Sequence, residues 1–115
     1  MENKNGSESL ISQYFGRSNF FAVVVLKEGK ISSLEFVENP FKEKPLRRGL
    51  LVSKFLIEKK PDILITKEIG PISFHTLRDN LIQIYKAKGK KIREIINNFL
   101  SSKLKKIEKP TRTKE

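Results

Sequence analysis

The groups able to do chemistry in this chain are arginines, a tyrosine beside a glycine, and a Gly-Pro turn. Cysteine is absent and His75 is the single histidine. Arg17 follows Tyr14-Phe15-Gly16, and Arg47 and Arg48 stand together ahead of an apolar run. A guanidinium presents a planar fork of donors that matches phosphate or carboxylate oxygens. Gly70-Pro71 opens a stretch with helical patterning, and the free N–H groups of a helix start also favour anions. Together these residues point to anion recognition. The competing explanation is that Arg47 and Arg48 are solvated helix residues and that Gly16 and Gly70 only let the chain turn.

The missing residue types exclude several classes. Without cysteine there is no disulfide, thiolate zinc site, cysteine nucleophile or cysteine-held iron–sulfur cluster. One histidine cannot supply an imidazole-and-thiolate metal site within one chain. His75 precedes Asp79 by one helical turn, a spacing that permits contact. Ser73 lies too near in sequence to complete a nucleophilic triad, so His75 reads as a partly exposed helix residue. A two-metal nuclease needs carboxylates converging on strand ends. Glu35, Glu38, Asp62 and Glu68 lie in the hairpin or flank a strand, and the buried segments carry no acid. A non-enzymatic binding domain is expected.

At 115 residues the chain is long enough for one domain with one core. With 37% hydrophobic and 32% charged residues it should fold rather than remain disordered. The apolar runs, such as Phe20 to Leu26, are far shorter than a membrane span. Met1 to Glu8 is polar, without a signal's apolar segment, so a cytoplasmic location and no membrane partner are expected. The net charge of +11 is concentrated at one end: residues 86–115 hold eleven lysines and arginines against three acids. Such a segment can attract phosphate backbones weakly and nonspecifically, or simply keep the protein soluble. It has no aromatic residue beyond Phe99 to stack on bases.

Phe20 to Leu26 and Ile31 to Val37, joined through Glu28-Gly29-Lys30, predict a β-hairpin. Leu51, Val52, Phe55 and Leu56 predict a helix over 46–60, and Ile63-Leu64-Ile65 a buried strand in the same sheet. A strand reached through a helix implies partly parallel pairing. A short helix runs from Gly70-Pro71 to about Asp79, with proline at the favoured first position. A strand over 81–85 follows. Ile92, Ile95, Ile96, Phe99 and Leu100 recur at helical spacing and predict a helix over 91–103. The expected core is Phe21, Val23, Val25, Leu51, Phe55, Ile65, Ile92, Ile96 and Phe99. Residues 1–104 read as a single domain, and 105–115, polar and containing Pro110, as a flexible basic tail.

Three pieces occur in order: Gln13-Tyr14-Phe15-Gly16-Arg17-Ser18-Asn19-Phe20-Phe21, then Glu38-Asn39-Pro40, then Ile69-Gly70-Pro71. This set resembles the dinitrogenase iron–molybdenum cofactor biosynthesis family over about residues 9–104. The resemblance implies an α/β, ribonuclease-H-like layered fold with a mixed sheet. It also implies a domain that binds or carries a metal-containing or anionic cofactor, an iron–molybdenum or iron–sulfur cluster in that family. The implied cofactor residues are Tyr14, Gly16, Arg17, Arg47, Arg48, Gly70, Pro71 and His75. Two departures stand out. Tyr14 and Leu46-Arg47-Arg48 occupy places where the family often carries histidine, which argues against tight cluster binding. The family's usual central first strand is also not expected within residues 1–9, because Asn3-Lys4-Asn5-Gly6-Ser7 cannot form it: either the chain has lost it, its start is placed late, or another chain supplies it. An open sheet of this kind invites a homodimer or a partner strand.

Overall fold

The computed structural model describes residues 1–114. The architecture is the expected α/β class. Its elements are β1 (Phe20–Lys27), β2 (Lys30–Glu38), α1 (Arg48–Ile57), β3 (Ile63–Thr66), α2 (Pro71–Asp79), β4 (Gln83–Lys86) and α3 (Ile92–Leu100). β1 and β2 form the hairpin, with Phe20 opposite Glu38 and an irregularity between Val25 and Leu26. Glu28 and Gly29 both take positive φ, 52° and 75°, the two left-handed residues that a tight two-residue turn requires. β3 and β4 pair in parallel, Ile63 opposite Gln83 and Thr66 opposite Lys86, across the α2 connection.

The single sheet expected from sequence is corrected here. The hairpin and the β3–β4 pair are two separate two-stranded sheets. Ile11 N–H donates to the Lys90 carbonyl at 2.9 Å, and Ile92 N–H to that of Ser9 at 3.1 Å, so residues 9–11 brace the start of α3. Glu8 adds ion pairs to Lys91 and Arg93.

α1 and α2 pack on each other. The main core gathers Phe15, Phe21, Val52, Leu56, Ile69, Phe74, Leu77, Ile82, Ile84 and Ile107. Of the expected core, Phe21, Ile92 and Ile96 are buried. Val23, Leu51, Phe55, Ile65 and Phe99 are half-buried, and Val25 is 42% exposed. Among the described residues β1 and β3 each have a strand beside one edge only, which is why their alternation misplaces the core.

Element ends differ for backbone reasons. Arg47 sits at φ 60° and caps α1, so the helix starts at Arg48 rather than at 46, and Leu46 stays exposed. Leu81 turns at φ 63° and is 90% exposed, which delays β4 to Gln83. Ser102, at φ 59°, lies just past the end of α3.

The largest difference lies at the basic end. Residues 105–112 are docked on the body rather than loose. Lys86 N–H donates to the Lys105 carbonyl and Ile107 N–H to that of Ile84, each at 2.8 Å. Leu104 and Ile107 are buried. Two apolar side chains three residues apart suffice to anchor this charged segment along β4.

Candidate anion-binding site

The three sequence pieces are interlocked by hydrogen bonds. Tyr14 lies in parallel register with Glu68: Phe15 N–H donates to the Glu68 carbonyl at 3.0 Å, and Glu68 N–H to that of Gln13 at 3.1 Å. This places the Phe15–Arg17 turn beside the segment leading into Gly70. From the other side, the Asn39 amide donates to the carbonyls of Gly16 (3.1 Å) and Ser18 (2.9 Å), and its oxygen accepts from Phe41 N–H (3.0 Å). Asn39 is therefore the pin between the first two pieces.

Where they meet, Tyr14, Gly16, Arg17, Arg48, Gly70 and Arg112 line a shallow depression, together with Glu68 and Ser73. Its volume is about 10 Å³, room for roughly one water. A larger ligand would rest on its rim rather than sink in. The Arg112 guanidinium lies 4.3 Å from the centre of the Tyr14 ring and that of Arg17 lies 5.8 Å from it. The ring faces of tyrosine attract cations, so Tyr14 holds both guanidiniums near one point. Arg48 reaches the carbonyls of Lys42 and Lys44 at 3.4 and 3.3 Å while its side chain lies against Gly16.

Five of the eight expected residues thus converge: Tyr14, Gly16, Arg17, Arg48 and Gly70. Three do not line the depression. Arg47 is spent as the exposed left-handed cap of α1. His75 is exposed on α2, edge-on to the Phe74 ring at 5.2 Å. Pro71 is half-buried as the first residue of α2, behind Gly70.

Arg112 was missed by sequence reasoning. It is brought in because Thr111 and Arg112 N–H both donate to the Ile69 carbonyl, at 3.1 and 3.2 Å, and Ile69 N–H donates to Thr111 Oγ1 at 2.8 Å. The only local signal was Pro110-Thr111, a turn-prone pair after an apolar anchor.

Lys86 Nζ lies 2.9 Å from Glu68 Oε1, and this hydrogen bond, followed by one from Thr111, holds the Glu68 carboxyl below its usual pKa. A lowered carboxyl value in the fold means that the stabilising contribution is present above the ordinary glutamate range. It is lost as pH falls through the lowered value. Denaturant midpoints measured from neutral pH downward should fall in this acid window, and Glu68→Gln should flatten the fall. An unchanged profile in the variant would show that the Glu68–Lys86 pair does not contribute.

A family model described as dinitrogenase iron-molybdenum cofactor matches residues 2–102. The chain belongs to that family. An uncharacterized protein of Methanocaldococcus jannaschii, MJ0580, is 30% identical over 98 residues, covering 85% of this chain and 83% of that protein. The apo form of the orange protein from Desulfovibrio gigas shares the fold, with a TM-score of 0.84 at 22% identity over 95% of this chain and 90% of the other. The crystal structure of PH0822 gives a TM-score of 0.73 at 26% identity, over 93% and 91%.

A metal cluster of the kind in the family's name can be tested against the donors present. Guanidinium nitrogens are protonated and have no lone pair to give, and the Glu68 carboxylate is engaged by Lys86. The oxygen atoms that line the depression, on Tyr14, Glu68 and Ser73, are hard donors, and without thiolate or imidazole beside them they make a poor soft-metal site. The depression does not fit direct coordination of a cluster.

Proposed function

We propose that this member of the family is a non-enzymatic binding domain. It holds a multivalent anion, an oxo- or thio-anion of a metal or a phosphate group, through ionic and hydrogen-bond contacts. The observation that carries this reading is the convergence of Arg17, Arg48 and Arg112 on one depression from three separate parts of the chain. Charges of like sign gathered on a small surface repel one another unless an anion or a ring face offsets them. Tyr14, the Glu68 carboxylate and the carbonyls that Arg48 reaches supply part of that compensation, and a bound anion would add to it. The start of α2 at Gly70 adds backbone donors of the same polarity. The net charge of +11 would draw such ligands in at low ionic strength.

Calorimetric titration at low salt with molybdate, tetrathiomolybdate and phosphate tests the proposal. Saturable binding of at least one anion, weakened about ten- to a hundredfold by Arg112→Ala, is the expected outcome, as befits loss of one charge-assisted contact. His75→Ala should leave the affinity unchanged. If none of the anions binds, or if Arg17→Ala and Arg112→Ala both bind as the parent does, the depression is not a binding site.

A further inference from the structure

The depression that gathers three arginines also holds an acid. Glu68 lines it beside Tyr14, Arg17, Arg48 and Arg112. The backbone of Glu68 is already committed: its N–H donates to the Gln13 carbonyl, and its own carbonyl accepts from Phe15 N–H. What this residue has left to offer a ligand is its carboxylate, and the side chain is 24% exposed. Lys86 holds it in place. The Lys86 ammonium donates to Glu68 Oε1 at 2.9 Å and to the Lys67 carbonyl at 2.6 Å, which ties the pair to the main chain. A carboxylate carries about four acceptor sites on its oxygens, so these contacts leave room for a further donor.

A carboxylate inside an anion site discriminates among anions. Once ionised it accepts hydrogen bonds and donates none. A fully deprotonated oxyanion placed against it meets like charge and brings no donor. An oxyanion that keeps an acidic hydrogen can turn that O–H toward the carboxylate and make a charge-assisted hydrogen bond. Its remaining oxygens stay free for the guanidiniums. Glu68 is ionised through the neutral range: hydrogen bonds from Lys86 and then Thr111 lower its pKa, and the charges of Lys86 and Arg112 act in the same direction. A metal cation lodged between carboxylate and anion would relieve the same repulsion. Arg17, Arg112 and Lys86 make this a hostile place for a free cation. The hydrogen of an acidic oxyanion arrives with the anion and adds no separate charge.

We propose that Glu68 is a specificity-determining residue that selects a tetrahedral oxyanion still carrying a hydrogen, with hydrogen phosphate the simplest, over dianions that carry none. This selectivity rests on the anion-binding reading of the same depression and narrows it to phosphate-like ligands. The ligand's O–H faces Glu68, and its unprotonated oxygens face Arg17, Arg48 and Arg112. Discrimination of this kind comes from repulsion of the wrong ligand as much as from attraction of the right one.

Calorimetric titration of the full chain with phosphate, arsenate, sulfate and molybdate, at low salt and neutral pH, provides the test. All four are tetrahedral; phosphate and arsenate keep a hydrogen at neutral pH, and sulfate and molybdate keep none. Phosphate and arsenate should bind at least about tenfold more tightly than the other two, the worth of one charge-assisted hydrogen bond. In Glu68→Gln the side-chain amide can donate as well as accept. The ratio of phosphate to sulfate affinity should therefore fall to within about threefold of unity in that variant. Damage to the fold would weaken all four anions together and leave the ratio as it was, so the ratio reads Glu68 itself. Sulfate bound as tightly as phosphate by the parent would overturn the selectivity and leave the anion site standing. A phosphate preference that persists in Glu68→Gln would overturn the assignment to Glu68. Absence of binding by all four would also overturn it; tetrathiomolybdate binding to the same chain would then preserve the broader anion reading, and its failure to bind would end both.

Discussion

Ending the chain after Lys105 should cost at least about 3 kcal/mol of folding stability, although it removes a segment rich in charge. Ile107 is 6% exposed and belongs to the main core, and truncating a buried isoleucine to alanine alone costs about 2–5 kcal/mol. The deletion also removes the hydrogen bond from Ile107 to Ile84 and the Thr111 clamp on Ile69. Replacing Lys105, Lys109 and Lys114 together by glutamine takes away charge but no apolar anchor. That variant should stay within about 1 kcal/mol of the parent, as expected for exposed positions. Urea denaturation of the two chains separates the roles. A truncated chain that melts with the parent midpoint would mean the docked segment adds nothing to the core. The same truncation removes Arg112, so any loss of nucleic-acid or anion affinity in it must be judged against the stability loss.

Asn39→Ala should be nearly as damaging, at about 3 kcal/mol, for a polar reason. The side chain is 2% exposed and makes three hydrogen bonds, two that tie the hairpin exit to the Gly16–Ser18 turn and one that accepts from Phe41 N–H. Its removal strands the buried Ser18 carbonyl and the half-buried Gly16 carbonyl and Phe41 N–H, and a fully buried group of this kind costs about 1–3 kcal/mol. Asn39→Asp is the sharper test. A carboxylate accepts but cannot donate, so it would face the Gly16 and Ser18 carbonyls with like polarity. The aspartate variant should be less stable than the alanine one at neutral pH and recover as the carboxyl is protonated in acid. Alanine and aspartate variants both melting near the parent would show that the pin is not needed. In either variant the Phe15–Arg17 turn loses its support, and anion affinity should fall with it.

Much of this was open to reading in the sequence, and the division follows the range of the forces. The hairpin, α2 and α3 rest on local signals: a left-handed turn at Glu28-Gly29, proline at the head of α2, isoleucines at helical spacing. Those signals need only neighbours along the chain. The ends of α1 and β4 were misjudged because Arg47 and Leu81 take left-handed backbone angles that non-glycine residues rarely adopt. The core was misjudged where a strand edge was left open, since alternation names two faces but cannot say which is covered. At the site, Tyr14, Gly16, Arg17, Arg48 and Gly70 were singled out by residue type and by motif. Arg112 was not, because its position depends on Ile107 docking first, a contact made across the body of the protein.

Tyr14 and Arg112 stand near opposite ends of the chain, yet their side chains stack. Chains are made from the amino terminus onward, so the body of this one is synthesised and can begin to fold before Arg112 is added. The depression cannot exist at that stage, because one of its three arginines has not emerged. A chain clipped near its carboxyl end is in the same position. Only a chain that carries the docked segment through Arg112 presents the whole charged surface.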